Sequence, residues 1–258
     1  PARLVTTVFK SATPVAPVMR VVVSIGGSVL APGLDPERVE GFADALHELS
    51  AEGCELGAVV GGGTVARQYI DSARELAANE FQLDELGIGV TRLNARLLIA
   101  AMGHGVQRTP ATTYEAAGAA IRSGDTTVMG GVTPGQTTDA VAAALAEYVD
   151  AELLVFATSA DGVYTADPEL DDDAEQLSQL PPAELVDIIA PMDRAAGASA
   201  PVDLLAAKLI ERSSLRTIVL DGTDPQAVVD AVLRGEHSGT DIVPTGDTDE
   251  PTYWTQHE

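Results

Sequence analysis

Three glycine-rich loops are the parts of this sequence whose residue types and spacing are best suited to chemistry. They are Gly26-Gly27-Ser28, Gly61-Gly62-Gly63 and the segment 130–139 (GGVTPGQTTD), and each follows a short apolar run. Glycine has no Cβ, so backbone N–H groups can approach an anion closely, and a helix that begins there adds positive partial charge. A single loop of this kind is more often a tight turn, but three at one sheet edge favour a polyphosphate cradle.

A fourth loop, residues 158–168 (TSADGVYTADP), is the most specific segment of the chain. Asp161-Gly162 supplies a turn, Tyr164 offers a flat ring and a hydroxyl, and Asp167-Pro168 favours an extended exit. Taken alone, the segment fits either a nucleoside-binding loop or a decorated hairpin.

The familiar phosphate-binding motifs do not occur. The only lysines are Lys10 and Lys208, and neither completes a GxxxxGK[ST] loop. No GxGxxG run follows a predicted strand, and the four histidines show no metal-ligand spacing. Phosphate binding here requires another architecture, and no metal ligand is directly assigned.

Alternating short strands and helices must position these loops. Hydrophobic periodicity predicts strands at 20–25, 55–60, 125–129, 152–157 and 216–220, and helices at 35–52, 64–79, 84–102, 138–149, 202–212 and 225–234. Apolar strands alternating with helices predict an α/β fold with a mainly parallel sheet covered on both faces. In such sheets, ligands bind beyond the carboxyl ends of the strands.

Composition bounds the class of protein. The 258 residues include 39 Asp and Glu against 15 Lys and Arg, a net charge of −24. This charge argues against nucleic-acid partners and anionic membranes, and no apolar stretch of about 18 residues predicts a membrane span. The single cysteine, Cys54, points to a reducing compartment, so we expect a cytoplasmic protein.

The two ends differ from the rest of the chain. Residues 1–18 carry two basic and no acidic residues and are predicted to be a disordered extension; 19–244 form one domain; 245–258 are predicted to be an acidic flexible tail. Without the extension the balance is 13 basic to 39 acidic residues, or −26. Lysine is nearly absent, which favours a salt-rich cytosol, where charges are screened beyond about 3 Å at 1 M. An ordinary acidic protein is the alternative.

The loops together resemble the amino acid kinase family. The resemblance is carried by VVVSIGGSVL at 21–30, VVGGGTVAR at 59–67, TPGQTTDAVAAALAE at 133–147 and TSADGVYTADP at 158–168. Within the family the chain is most similar to the archaeal type of UMP kinase, through DELGIGVTRLNARLLIAA at 84–101, VMGGVTPGQTTDA at 128–140 and DLLAAKLI at 203–210. This resemblance implies a three-layer sandwich with an acceptor-binding N-terminal part and an ATP-binding C-terminal part.

The resemblance also implies a reaction and its residues. Members transfer the γ-phosphoryl group of ATP with Mg2+, and in UMP kinases the acceptor is UMP and the product UDP, a step of pyrimidine nucleotide synthesis. The residues expected to bind ATP are Gly27, Ser28, Gly63, Arg67, Thr158, Tyr164 and Asp167. Those expected to bind UMP are Gly62, Asp84, Val132, Thr133, Pro134, Gly135, Gln136, Thr137 and Thr138.

Three residues are the catalytic candidates. Asp139 fits an organiser of the cations at the site, or simply a first-turn helix acid. Arg67 fits a phosphate clamp one turn beyond the triple glycine, or a surface charge. Lys208 stands alone in a body that otherwise uses arginine, which suggests a contact that a planar guanidinium cannot replace; a stray surface lysine is the alternative.

The chain departs from the family pattern at three positions. Ser24 stands where many members carry a lysine, Thr64 where a basic residue often follows the glycines, and Val132 where a hydroxyl residue is common. These changes leave two alternatives open: another small-acid or phosphate kinase of the family, and a non-catalytic nucleotide-binding or storage protein. The relatives also imply a homohexamer, with Arg92 and Arg96 on a helix near subunit contacts.

Overall fold

A computed structural model describes residues 19–192 and 200–244, together with Gly246 and Trp254. The predicted extension at 1–18 and most of the predicted tail at 245–258 lie outside the described residues, so both remain predictions.

Within the described residues, nine strands alternate with nine helices. The strands are β1 (Arg20–Ile25), β2 (Glu55–Val60), β3 (Thr127–Met129), β4 (Leu153–Thr158), β5 (Val163–Tyr164), β6 (Gln176–Leu177), β7 (Gln179–Leu180), β8 (Thr217–Asp221) and β9 (Thr240–Ile242). The helices are α1 (Gly27–Leu30), α2 (Pro36–Ala51), α3 (Gly63–Glu75), α4 (Glu80–Met102), α5 (Tyr114–Arg122), α6 (Thr138–Tyr148), α7 (Pro182–Met192), α8 (Leu204–Ser213) and α9 (Pro225–Arg234). A short 3-10 turn covers Pro32–Leu34.

Seven strands form one sheet in the order β3-β2-β1-β4-β8-β9-β7. Neighbouring strands are parallel except β8 and β9, which pair antiparallel, while β5 and β6 form a separate antiparallel hairpin. The carboxyl ends of β1, β2, β3, β4 and β8 therefore meet at one edge of the sheet.

The strands are apolar on both faces, so the sheet is the middle of three layers. Alternate residues of β1 enter two cores. Val21, Val23 and Ile25 pack with α2, α4 and α9 in the first core, whereas Val22 packs with α5, α6, α7 and α8 in the second core. The predicted α/β three-layer fold with a mainly parallel sheet is confirmed.

Several short elements were not predicted. The helices α5 and α7 and the strands β6, β7 and β9 fall in segments left without an assignment, and β5 lies in the segment 158–168, for which a hairpin was one of two interpretations. These strands are two or three residues long, which is too short to show a period-2 pattern. Helix α5 depends on a local signal, the Thr113 hydroxyl, which accepts a hydrogen bond from Ala116 N at 3.2 Å.

Trp254 is the one residue near the C-terminus whose packing the structure describes in detail. Its side chain is buried in the α2/α4/α9 core, and Nε1 donates to the Val232 carbonyl at 3.1 Å. The Arg216 guanidinium lies 4.6 Å from the centre of the indole ring. Among the helices that the structure describes, none combines the length and apolar character needed to cross a bilayer.

Candidate functional site

The first two glycine loops pack backbone against backbone where β1 and β2 end. A Cβ added to Gly27 would lie 2.2 Å from Gly63 N, and one added to Gly63 would lie 2.5 Å from Gly27 C. Gly63 also has φ +62°, a conformation that strains other residues. The glycines are thus required for loop-to-loop contact, in addition to any approach to phosphate.

Polar residues on the buried side of α4 hold these loops in place. The Asn94 amide donates to the carbonyls of Gly61 and Gly62 at 2.9 and 3.3 Å. The Thr91 hydroxyl accepts from Gly131 N at 2.7 Å. The sequence interpretation did not single out either residue; the available signal was two polar residues on the apolar face of a predicted helix.

Arg92 serves the same loop rather than only the outside of α4. Its Nε donates to the Gly131 carbonyl at 3.1 Å and its Nη2 to the Val132 carbonyl at 3.4 Å. The side chain of Val132 packs against the second core. A hydroxyl is therefore not needed at this position to fix the loop.

A cleft of about 500 Å3, called here the first cleft, opens beside these loops. Its walls come from α3, α4 and the loop before α6, and its lining residues are Gly62, Gly63, Ala66, Arg67, Ile70, Asp84, Gly87, Ile88, Thr91, Gly131, Gly135, Gln136, Thr137 and Thr138. Helix α3 begins at the cleft with no side-chain cap and no acid in its first turn. Its free N–H groups, with Arg67, make the first cleft suited to an anion.

Most residues predicted to bind the acceptor meet in the first cleft. Gly62, Asp84 and the segment 135–138 line it, whereas Val132, Thr133 and Pro134 belong to the same loop without forming its wall. One carboxylate oxygen of Asp84 accepts from Gly135 N at 2.8 Å, which closes the loop over α4.

A second cleft of about 320 Å3 lies beyond β4. It contains three of the residues predicted to bind ATP, Thr158, Tyr164 and Asp167. Each also shapes the loop: Thr158 Oγ1 accepts from Ala160 N at 2.9 Å, the Tyr164 hydroxyl donates to Asp161 at 3.0 Å, and Asp167 accepts from Glu169 N at 2.9 Å. Val163 and Tyr164 of this segment also pair with Gln176 and Leu177 as the β5–β6 hairpin, whereas nucleoside binding by the segment stays a prediction.

The other residues predicted to bind ATP are placed differently. Gly63 and Arg67 line the first cleft, and Gly27 and Ser28 line neither cleft but lie at the loop contact described above. Arg67 is exposed, and its guanidinium reaches the Thr64 hydroxyl at 3.3 Å.

Asp139 lies in the first turn of α6, beside the end of β1. Ser24 Oγ donates to Asp139 Oδ1 at 3.1 Å. Burial, and secondarily the charge of Asp203, raises the pKa of Asp139 from 3.8 to about 7, while the Ser24 hydrogen bond lowers it. Among the described residues Asp139 has no ion pair, and no cluster of three or more His, Cys, Asp or Glu is arranged to hold a metal.

Asp203 was not predicted as a site residue. It caps α8, accepting from Leu205 N at 2.8 Å and Ala206 N at 3.1 Å. Its other oxygen accepts a hydrogen bond from the Thr137 hydroxyl, and Thr137 in turn caps α6 by accepting from Ala140 N at 3.1 Å.

Lys208 lies on α8 but is not brought to either cleft. Its side chain is exposed, and it forms no ion pair within the part of the chain that the structure describes. Its predicted contact with phosphate stays a prediction.

Comparison with known proteins assigns a family. Residues 19–221 match the model of the Amino acid kinase family. A protein named uridylate kinase from Halorubrum lacusprofundi is 70% identical over 237 residues, which cover 92% of this chain and 98% of the relative. One from Halobacterium salinarum is 64% identical over 240 residues, covering 93% and 100%.

Solved structures of proteins named uridylate kinase or UMP kinase have a similar fold. The crystal structure of uridylate kinase from Archaeoglobus fulgidus has a TM-score of 0.79 at 42% identity and covers 87% of this chain and all of that chain. The UMP kinase structure from Bacillus anthracis, at 22% identity and a TM-score of 0.73, shares the fold.

Proposed function

Because this chain belongs to the amino acid kinase family, we propose that it is a UMP kinase, which transfers the γ-phosphoryl group of ATP to UMP and forms UDP and ADP. The observation that carries the proposal is the pairing of two clefts at one sheet edge, the first of which opens on the uncapped amino end of α3 beside Arg67. The names of the relatives support UMP as the acceptor.

The first cleft is proposed to bind UMP. The N–H groups of α3 and the Arg67 guanidinium would hold its phosphate, since both donate hydrogen bonds and carry positive charge or partial charge. Asp84 already binds Gly135 N through one oxygen. Its second oxygen would accept hydrogen bonds from ribose hydroxyls, because a carboxylate only accepts. The loop at 132–138 would close over the nucleotide.

The second cleft is proposed to bind the nucleoside part of ATP. The ring of Tyr164, which is half-buried and oriented by its bond to Asp161, offers a flat surface to a base. Thr158 and Asp167 fix the loop around it. The ATP phosphates would then extend towards Gly27, Ser28 and Gly63, where the two glycine loops meet.

Transfer between two phosphates depends mainly on in-line positioning and charge neutralisation. Asp139 would orient the cationic groups at the reacting phosphates, and Arg67 would supply positive charge. Lys208 lines neither cleft, so it would contribute only by reaching the bound phosphates from outside. A Mg2+ ion bound with ATP would be held chiefly by phosphate oxygens, and the Asp139 carboxyl is the hard oxygen donor of the protein that fits it. When bound, such an ion neutralises phosphate charge.

The protein is proposed to act in the cytoplasm as a homohexamer. Leu86, Leu93 and Leu97 form an exposed apolar stripe along α4, with exposed fractions of 38, 62 and 40%. Such a stripe is typical of an interface between subunits. The double variant Leu93→Glu/Leu97→Glu should lower the mass measured by light scattering, whereas Leu170→Glu, at an exposed position outside the stripe, should not.

The test of function is ADP release with UMP, CMP, carbamate and isopentenyl phosphate as acceptors. It is run in about 2 M KCl, which screens the acidic surface. We expect turnover with UMP above that with every other acceptor. A preference for carbamate or isopentenyl phosphate would identify another kinase of the family, and nucleotide binding without turnover would identify a binding or storage protein.

Two arginines of α3 provide a matched pair of variants. Arg67→Ala removes a cation from the first cleft and should lower kcat/KM for UMP by roughly 10- to 100-fold, the value of one or two charge-assisted hydrogen bonds. Arg74 instead pairs with Asp71 and Glu80 outside the cleft. Arg74→Ala should leave the rate unchanged, so equal effects of the two changes would contradict the assignment of the first cleft.

A further inference from the structure

A side-chain hydrogen bond runs from the first cleft towards the second. Thr137, in the wall of the first cleft, donates its hydroxyl proton to Asp203. Asp203 does not line the second cleft itself, but Pro201, two residues before it, does. The two residues are 66 positions apart in the sequence.

Both partners are helix caps, so the bond joins the starting points of two helices. Thr137 Oγ1 accepts from Ala140 N at the start of α6, and Asp203 Oδ1 accepts from Leu205 N at the start of α8. The single proton of the Thr137 hydroxyl is used by Asp203. A shift of one helix start therefore moves the other or breaks a charge-assisted bond.

The segment on the α8 side is anchored firmly. Val202, between Pro201 and Asp203, is fully buried in the second core, and Ala206 and Ala207 face the same core. Because Val202 holds this segment to the core, Asp203 and Pro201 have a fixed position relative to each other.

We propose that Asp203 is a positioning residue that couples the two clefts. When a ligand occupies the first cleft, the bond between Asp203 and Thr137 fixes the position of the wall of the second. The inference rests on the proposed function, because it assumes that both clefts bind nucleotides. Closing of the loop over UMP fixes Thr137, which fixes the start of α8 and the neighbouring wall. Binding of either nucleotide then favours binding of the other, since coupling between sites is reciprocal.

The coupling is measured as a ratio, the Kd of UMP without an ATP analogue divided by the Kd of UMP with it. The Kd of UMP is determined by calorimetry with and without saturating β,γ-imido-ATP, in about 2 M KCl. For the wild-type protein we expect the analogue to lower the Kd of UMP by at least about fivefold. Thr137→Val and Asp203→Ser should each bring this ratio to within about twofold of one. Serine at 203 still caps a helix but is too short to reach Thr137 as well.

Three controls separate coupling from general damage. Thr137→Ser keeps the hydroxyl and should keep the ratio. Arg212→Gln breaks the contact of Arg212 with Glu147, which joins α6 and α8 near their other ends, and should also keep it. The double variant Thr137→Val/Asp203→Ser should show no further loss beyond either single change.

The outcomes are distinct. A wild-type ratio of one, or an unchanged ratio in Thr137→Val and Asp203→Ser, would overturn the coupling while leaving a UMP kinase intact. Loss of the ratio in Arg212→Gln would also overturn it, because helix contact in general would then be responsible. Failure of the wild-type protein to bind UMP at all would contradict the proposed function and this inference together.

Discussion

The hydroxyl of Ser24 donates a hydrogen bond of 3.1 Å to the carboxyl of Asp139, which joins the end of β1 to the first turn of α6. A neutral hydroxyl can satisfy an oxygen of Asp139 but cannot balance its charge. Together with burial, this leaves the pKa of Asp139 raised to about 7. In the ionised form the Asp139 carboxylate therefore lowers the stability of the folded protein.

Asp139→Asn should stabilise the protein without nucleotide or metal at alkaline pH. The folded-state pKa of about 7 lies above the ordinary 3.8, so the folded state binds the proton more tightly than the unfolded state. The contribution of the protonated Asp139 carboxyl to folding stability is fully present below pH 4 and is lost as the pH rises through 7. Asparagine mimics the protonated form, so we expect a gain of about 2–4 kcal/mol at pH 8 and little at pH 4.

The check is urea unfolding at the two pH values with EDTA present, together with turnover at pH 8. We expect higher stability and lost activity in the same variant. A loss of stability at pH 8 would show that ionised Asp139 is satisfied by its surroundings in the absence of ligand.

Thr91→Val should weaken the loop before α6. The change leaves Gly131 N, a buried donor, without its acceptor, which costs about 1–3 kcal/mol. Thr91→Ser keeps the acceptor and should cost less than half as much. The KM for UMP should rise more than the KM for ATP, because Thr91 lines the first cleft only; steady-state kinetics with each nucleotide varied will show whether the two rise together instead.

Gly27→Ala should disrupt both glycine loops at once. The new methyl group would lie 2.2 Å from Gly63 N and 2.4 Å from the Gly61 carbonyl oxygen, both backbone atoms. Such overpacking costs about 1–3 kcal/mol or more, and turnover should fall with it. Gly89→Ala on α4, where no atom of the same chain lies within 4 Å, should instead raise stability by about 0.5–1 kcal/mol. It is measured in the Leu93→Glu/Leu97→Glu background, because Gly89 shares a helix face with the proposed subunit interface. Thermal unfolding followed by far-UV circular dichroism compares the two.

Trp254→Ala should destabilise the whole domain. It removes a buried ring, the hydrogen bond to Val232 and the contact with Arg216, at about 3 kcal/mol by comparison with other large-to-small changes. Trp254→Phe keeps a ring over Arg216 and should cost about 1 kcal/mol. Leu170→Ala, at a position 66% exposed, serves as the reference, and a Trp254→Ala protein as stable as this reference would disprove a structural role for the indole.

The sequence predicts regular elements well where local pattern and tertiary structure agree. The first two strands, 20–25 and 55–60, and the last long helix, 225–234, have the bounds that the periodicity indicates. Predicted ends elsewhere differ by a few residues because capping decides them. The helix expected at 84–102 begins at Glu80, for example, where Asn79 and Gln82 cap each other.

The site was predictable only in part, for a physical reason. Glycine loops and the segment 158–168 carry local signals, and most of their residues line the clefts. For Asn94, Thr91 and Asp203 the local sequence does not identify the loop residues that they contact, because those partners lie 32–66 positions away. The placement of Arg67 in the first cleft likewise depends on how α3 crosses α4, which no motif records.

The contact between Gly27 and Gly63 also limits how the site can be moved or exchanged. Each loop occupies the space that a side chain on the other would need, so a change in one loop requires a change in the other, although Gly27 and Gly63 are 36 positions apart. A chimaera of two relatives with its crossover between these loops would join surfaces shaped for different partners. One with the crossover in α4, beyond Asn94, would transfer the two paired loops together with the amide that holds them.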